Sequence, residues 1–113
     1  MGDTMIVITE RAMEEAINFL ADTDLELAEL LADMERAEWK AKTIKNACFT
    51  ILSGTVADRE AKATIAEETK QAFEDYFQAV SKYNGLRNKR ATQQILIDCW
   101  RSVNSSRNRG AFP

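Results

Sequence analysis

The chain has 113 residues, of which 45% are apolar and 29% charged, with one proline, four glycines and a net charge of −3. This balance excludes a disordered tail and a turn-rich all-β domain, because the first is poorer in apolar residues and the second is richer in turn residues. No apolar run approaches the roughly 20 residues that a membrane span needs, and the N-terminus lacks a secretion signal. We therefore expect one α-helical domain over residues 1–104, cytoplasmic and without membrane contact.

The first predicted helix covers about residues 10–21, where apolar residues recur at helical spacing and Thr9 is available as the N-cap. Residues 5–8 form a short β-branched run that is compatible with a lone strand, which needs a partner to be stable. Thr23 and Glu26 have the spacing of a capping box. We therefore predict that a second helix begins at this point.

The second predicted helix covers about residues 24–52. Gly54 predicts the end of this helix, since glycine adopts the left-handed conformation, and Thr55 with Asp58 predicts the start of the next. Four heptad repeats, with alternating steps of three and four residues, are formed by Leu27, Leu30, Met34, Ala37, Ala41, Ile44, Cys48 and Ile51. This pattern is typical of a coiled-coil seam.

The third predicted helix, about residues 56–83, matches the second in length and carries its own stripe. Asn84 and Gly85 then interrupt the pattern as a hinge, a break or a weak point, because both residues tolerate the left-handed region. A last helix is predicted over about residues 86–104, followed by a flexible basic tail at 105–113. The predicted fold is therefore all-α: a long antiparallel, coiled-coil-like hairpin with an extra N-terminal helix and a C-terminal helical extension.

The C-terminal extension bears on the oligomeric state. If the chain folds back at Gly85, the last helix completes a bundle within one chain. If the helix runs on, an apolar stripe lacks an intramolecular partner, which favours a homo-oligomer, a dimer or higher. We favour the oligomer, with an interface formed by Ile95, Leu96, Cys99 and Trp100.

Three side chains of the helices invite a functional interpretation. Cys48 and Cys99 lie in apolar stripes without CxxC spacing, so we predict buried, reduced thiols. Trp39 lies opposite the seam, on the same face as Leu25. It is either covered by the first helix, which we favour, or exposed as an interface anchor.

The charges are distributed unevenly along the chain. Residues 1–38 carry 11 acidic and two basic residues, and residues 84–113 carry six basic and one acidic residue. Basic residues near a helix C-terminus complement the helix dipole, so part of this asymmetry needs no ligand. The functional interpretation is contact with nucleic-acid phosphates through Arg87, Lys89, Arg90, Arg101, Arg107 and Arg109. The acidic segment could equally dock a basic protein.

Catalysis has weak support in the sequence. Two pairs of glutamates lie one turn apart, as in helical magnesium-dependent nucleotide hydrolases, at Glu26, Glu29, Glu35 and Glu38. Such a site also needs acids on a facing helix, for which the candidates are Glu67, Glu68, Glu74 and Asp75. The chain has no histidine and no glycine-rich phosphate loop. We therefore expect no enzyme activity, no cofactor and no metal.

Two segments carry a resemblance to a known group of proteins. They are the run Gly-Thr-Val-Ala-Asp-Arg-Glu-Ala at residues 54–61 and Trp-Arg-Ser-Val-Asn at residues 100–104. Residues 37–109 resemble small helical accessory proteins of bacteriophages and prophages, which implies a role beside a single-strand annealing or other recombination protein. The leading hypothesis is a non-enzymatic accessory protein of DNA recombination or replication. The alternative is an acidic helical adaptor or inhibitor that binds a host or phage protein.

Overall fold

The computed structural model describes residues 8–108, which form three helices. These are α1 (Glu10–Ile51), α2 (Val56–Ile65) and α3 (Glu67–Asn108). Among these residues there is no strand, so the all-α prediction is confirmed. Of the predicted lone strand at 5–8, residues 5–7 lie outside the described part and Ile8 belongs to no element.

The two long helices α1 and α3 pack as an antiparallel hairpin, with α2 as an extra helix between them in the chain. The chain divides into two compact units. Unit one combines the N-terminal residues up to Glu26 with the residues from Leu86 onwards, and unit two is Leu27–Gly85. The predicted hairpin is confirmed, whereas a single domain over residues 1–104 stays a prediction.

Helix α1 is continuous where two helices were predicted. Thr9 is its N-cap, because the Ala12 N–H donates to Thr9 Oγ1 at 3.0 Å. The Thr23 hydroxyl does not cap a second helix but donates to the carbonyl oxygen of Phe19, one turn earlier, at 2.7 Å. The separate helices at 10–21 and 24–52 were therefore wrong. The reason is that Thr23 itself occupies a seam position, four residues before Leu27 in the same heptad.

The connection between α1 and α2 agrees with the prediction. Gly54 has a φ of 117°, a backbone conformation that side chains other than glycine rarely adopt. Thr55 is the N-cap of α2, since its hydroxyl accepts from the Asp58 N–H at 3.1 Å. Helix α2 then contacts α1 through the guanidinium of Arg59, which lies 4.4 Å from the centre of the Phe49 ring.

Helix α3 differs from the prediction at both ends. The predicted helix at 56–83 is divided at Ala66, whose ψ of 141° is extended, and α3 starts with the acidic Glu67. It then continues through Gly85 to Asn108, so the separate helix at 86–104 and the flexible tail from residue 105 were wrong as far as residue 108. Residues 109–113 lie outside the described part.

The reason for the continuity of α3 is a second, longer heptad. Its residues are buried or half-buried throughout, and they are Thr69, Ala72, Tyr76, Ala79, Tyr83, Leu86, Arg90, Gln93, Ile97, Trp100 and Asn104. The steps of three and four residues alternate without a fault across Gly85. Among the described residues, those that are fully buried are small: Ala16, Ala41, Ala63 and Thr69. None of the three helices is long and apolar enough to cross a membrane.

Candidate interaction surfaces

Unit one brings together a segment of net negative charge and a segment of net positive charge. Residues 10–26 of α1 carry six acidic residues and one basic residue, and residues 86–108 of α3 carry five basic residues and one acidic residue. The net charge of these two segments together is −1. The opposite charges therefore share one compact unit and largely offset each other's field.

Arg90 is the residue that joins these two segments. Its Nη1 donates to the carbonyl oxygen of Leu20 and to Thr23 Oγ1, each at 2.7 Å. Its Nη2 lies 3.6 Å from the carboxylate of Asp24. The Arg90 side chain is 18% exposed and that of Asp24 is 82% exposed. The proposed phosphate contact of Arg90 therefore competes with a polar contact inside the hairpin, which the sequence did not reveal because the heptad appeared to stop at Gly85.

The remaining residues predicted to contact nucleic acid lie apart from this contact. Those exposed along α3 are Arg87, Lys89, Arg101 and Arg107. Arg109 lies outside the described residues. These exposed basic side chains are distributed over five turns of helix and do not form a tight cluster in sequence.

The predicted oligomer interface is divided between different faces of α3. Ile95 is 62% exposed and points away from the seam, whereas Trp100 is half-buried at a seam position. Leu96 is half-buried beside the seam. Cys99 is exposed, so the prediction of a buried thiol was wrong there, whereas the half-buried Cys48 is covered in part by α3. Ile95 and Trp100 are five residues apart and therefore rotated by about 140° around the helix, so they do not share one face.

Trp39 is the most exposed aromatic side chain of unit two, with 71% of its surface accessible. The favoured interpretation, that the first helix covers it, was wrong because residues 10–21 belong to the same continuous helix. The alternative, an exposed Trp39, is what the structure shows. Its heptad position is the one farthest from the seam, so α3 cannot cover it.

An aromatic cluster on α3 lies at the seam of unit two. The ring centres of Phe73 and Phe77 are 6.3 Å apart, and those of Tyr76 and Phe77 are 5.5 Å apart. Glu38 of α1 raises the pKa of the Tyr76 hydroxyl, first through a hydrogen bond to the phenol, then with help from desolvation and from the charge of its carboxylate. Glu38 of α1 therefore lies near Tyr76 of α3 in unit two.

An open cavity of about 350 Å³ lies between the helices of unit two. Both lysines that line it already interact within the protein, since Lys45 pairs with Glu60 at 2.6 Å and Lys70 with Glu67 at 3.3 Å. Thr69, which also lines it, donates to Cys48 Sγ at 3.7 Å. We therefore assign no ligand to this cavity.

The acids considered for magnesium do not come together. Among residues 8–108, no group of three or more histidine, cysteine or acidic side chains is arranged to hold a metal ion. Glu38, one of the candidates, instead interacts with Tyr76 and lies 3.8 Å from Lys42. No protein-family model, no curated protein and no solved structure matches the chain.

Proposed function

We propose that this protein is a non-enzymatic helical adaptor that binds another protein through the outer surface of α1, with Trp39 as the anchor. The supporting observation is the 71% exposure of this side chain on a face that α3 cannot cover. Tryptophan is enriched among the residues that dominate binding energy at protein interfaces. Covering its remaining surface, of order 150 Å², would contribute about 3 kcal/mol.

The charges around Trp39 indicate the chemistry of the partner. Between residues 27 and 38, α1 carries four acidic residues and one basic residue. The one base of this stretch, Arg36, is 2.6 Å from Asp33, so the surface on the N-terminal side of Trp39 is acidic, whereas Lys40, Lys42 and Lys45 follow on its C-terminal side. A complementary partner has an apolar pocket for Trp39 and basic groups on the side that meets residues 27–38. The resemblance to bacteriophage accessory proteins supports a partner from DNA recombination or replication, since proteins that bind DNA carry basic surfaces.

The test compares Trp39→Ala with Leu25→Ala as bait. Leu25 is 70% exposed on the same helix and occupies the same heptad position, so it controls for loss of an exposed apolar side chain. We expect the wild-type chain and the Leu25→Ala variant to capture the same partner protein, and the Trp39→Ala variant to fail to capture it. In calorimetry with that protein purified, Trp39→Ala should raise the Kd at least tenfold, about 1.4 kcal/mol. Capture that is indifferent to Trp39 rejects the proposal.

Binding of nucleic acid is the second candidate function. It is supported by the exposure of four basic side chains on α3, and opposed by the −1 net charge of the described part of unit one. The test is binding to labelled single- and double-stranded DNA across a salt series, with Arg87→Ala/Arg101→Ala as the variant. Phosphate contact predicts affinity that falls steeply with salt and is weakened in the variant. Absence of binding at low salt rejects this candidate and leaves the adaptor proposal intact.

A further inference from the structure

Unit one has a second stripe beside the seam. On α3, Lys89, Thr92, Leu96, Cys99 and Val103 follow steps of three and four residues, displaced by one position from the seam residues Arg90, Gln93, Ile97, Trp100 and Asn104. On α1, the equivalent positions are Ala12, Glu15, Phe19, Asp22 and Glu26. In an antiparallel helix pair, these positions of the two helices flank the same side of the seam. We call this side the lateral face.

The lateral face is the more apolar side of unit one. Ala12, Phe19 and Leu96 are only half-buried there, Cys99 is exposed and Val103 is 46% exposed. On the opposite side of the seam, Ile17 is the large apolar side chain. The charged residues on that side are Glu10, Glu14, Asp24, Arg87, Asp98 and Arg101. A helix with a seam and a lateral stripe can pack against two partners, as the helices of a four-helix bundle do.

We propose that a second copy of the chain covers the lateral face, with α1 of one copy antiparallel to α3 of the other about a two-fold axis. Every neighbouring helix pair is then antiparallel, as in an up-down-up-down bundle. The charges select this arrangement. The acids of the α1 stripe would repel one another if α1 faced α1, whereas α3 offers Lys89 and no acid on its stripe.

The contact of Arg90 with Thr23 sets the register between α1 and α3 within one chain. A two-fold axis along the hairpin keeps the same register between copies. Phe19 of one copy then lies level with Leu96 of the other, and Ala12 level with Val103, so a large residue meets a smaller one in each layer. Glu26 lies level with Lys89, which adds an ion pair at one end of the interface. The second copy therefore matches large with small residues in two layers and places Lys89 opposite one of the three acids of the α1 stripe.

Sedimentation velocity with two matched variants tests this dimer. We expect the wild type to have twice the 12.8 kDa mass of one chain. Val103→Glu places a carboxylate in the interface and should raise the dissociation constant at least tenfold. Ile95→Glu, on the exposed outer face of the same helix, should leave it unchanged. A wild type that is monomeric at about 0.1 mM, or equal effects of the two variants, overturns the proposal.

Disulfide trapping gives a second readout that does not depend on a destabilising variant. In a Cys48→Ser background, Glu15→Cys should cross-link to the native Cys99 of the second copy on mild oxidation, because both lie on the lateral face at the same level. Within one chain the two positions lie on the outer edges of the face, so a bond inside the monomer contradicts the arrangement. The dimer does not depend on the adaptor role, and Trp39→Ala should leave the mass of the dimer unchanged.

Discussion

The contact of Arg90 with α1 allows a quantitative test of how unit one is held together. The guanidinium donates two short hydrogen bonds, to Leu20 and Thr23, and lies 3.6 Å from the carboxylate of Asp24. Hydrogen bonds from a charged donor contribute about 1.5–3 kcal/mol, whereas an ion pair with a group as exposed as Asp24 contributes less than about 1 kcal/mol. The Thr23 contact should therefore outweigh the Asp24 contact.

Two double-mutant cycles separate these contributions to the free energy of unfolding. We expect Arg90→Ala to lower it by about 2 kcal/mol, with a coupling energy of about 1 kcal/mol to Thr23→Val and below about 0.5 kcal/mol to Asp24→Asn. Urea unfolding followed by circular dichroism at each corner of both cycles provides the measurement. A coupling to Asp24 equal to or larger than that to Thr23 would refute the reasoning, because the ion pair would then hold the helices together.

Three further changes test the backbone, the core and the ionisation of the fold. Gly85→Ala should raise the free energy of unfolding by about 1 kcal/mol, because nothing lies within 4 Å of the added Cβ. Gly54→Ala should lower the free energy of unfolding by at least about 1 kcal/mol, since the φ of Gly54 is 117°. Urea unfolding in which both variants change stability in the same direction would contradict this prediction. Ala41→Leu should lower it by about 1–3 kcal/mol, because Ala41 is fully buried, and a neutral result would reveal unfilled space beside it. Glu38 raises the pKa of Tyr76 above 10.0. The contact between these two residues therefore stabilises the fold fully below pH 10, and this stabilisation is lost as the pH rises through the folded-state pKa of Tyr76. Tyr76→Phe should therefore lose less stability than the wild type above pH 10, and parallel pH profiles of the two would count against the contact.

The helical hairpin was predictable because apolar residues occupy the heptad positions that pair its helices. The seam from Leu27 to Ile51 and the turn at Gly54 and Thr55 identified two of the elements directly. A pattern of this regularity over four repeats leaves few alternatives for the backbone. The hairpin therefore followed from side-chain periodicity alone.

The continuity of the long helices was not predictable, since the seam changes to polar residues at the critical places. Thr23 resembled an N-cap and Arg90 resembled a surface cation, although both occupy seam positions and satisfy each other. The break at Ala66 has no signal in the residue itself, because alanine is the best helix former; only the acidic Glu67 and Glu68 after it suggest a helix start. Of the candidate surfaces, the exposure of Trp39 required knowledge that residues 10–21 extend α1.

The antiparallel pairing of α1 and α3 also determines the order in which contacts can form. Near the turn, Thr69 meets Cys48, 21 residues away, whereas Arg90 meets Leu20 across 70 residues. Closing the longer loop from an open chain costs about 1 kcal/mol more, since the entropy of closure grows with the logarithm of length. The contacts between α1 and α3 should therefore form first near the turn and last near the chain ends. In hydrogen exchange, the amide hydrogens of unit one should exchange with solvent before those around Ala41 and Ala72.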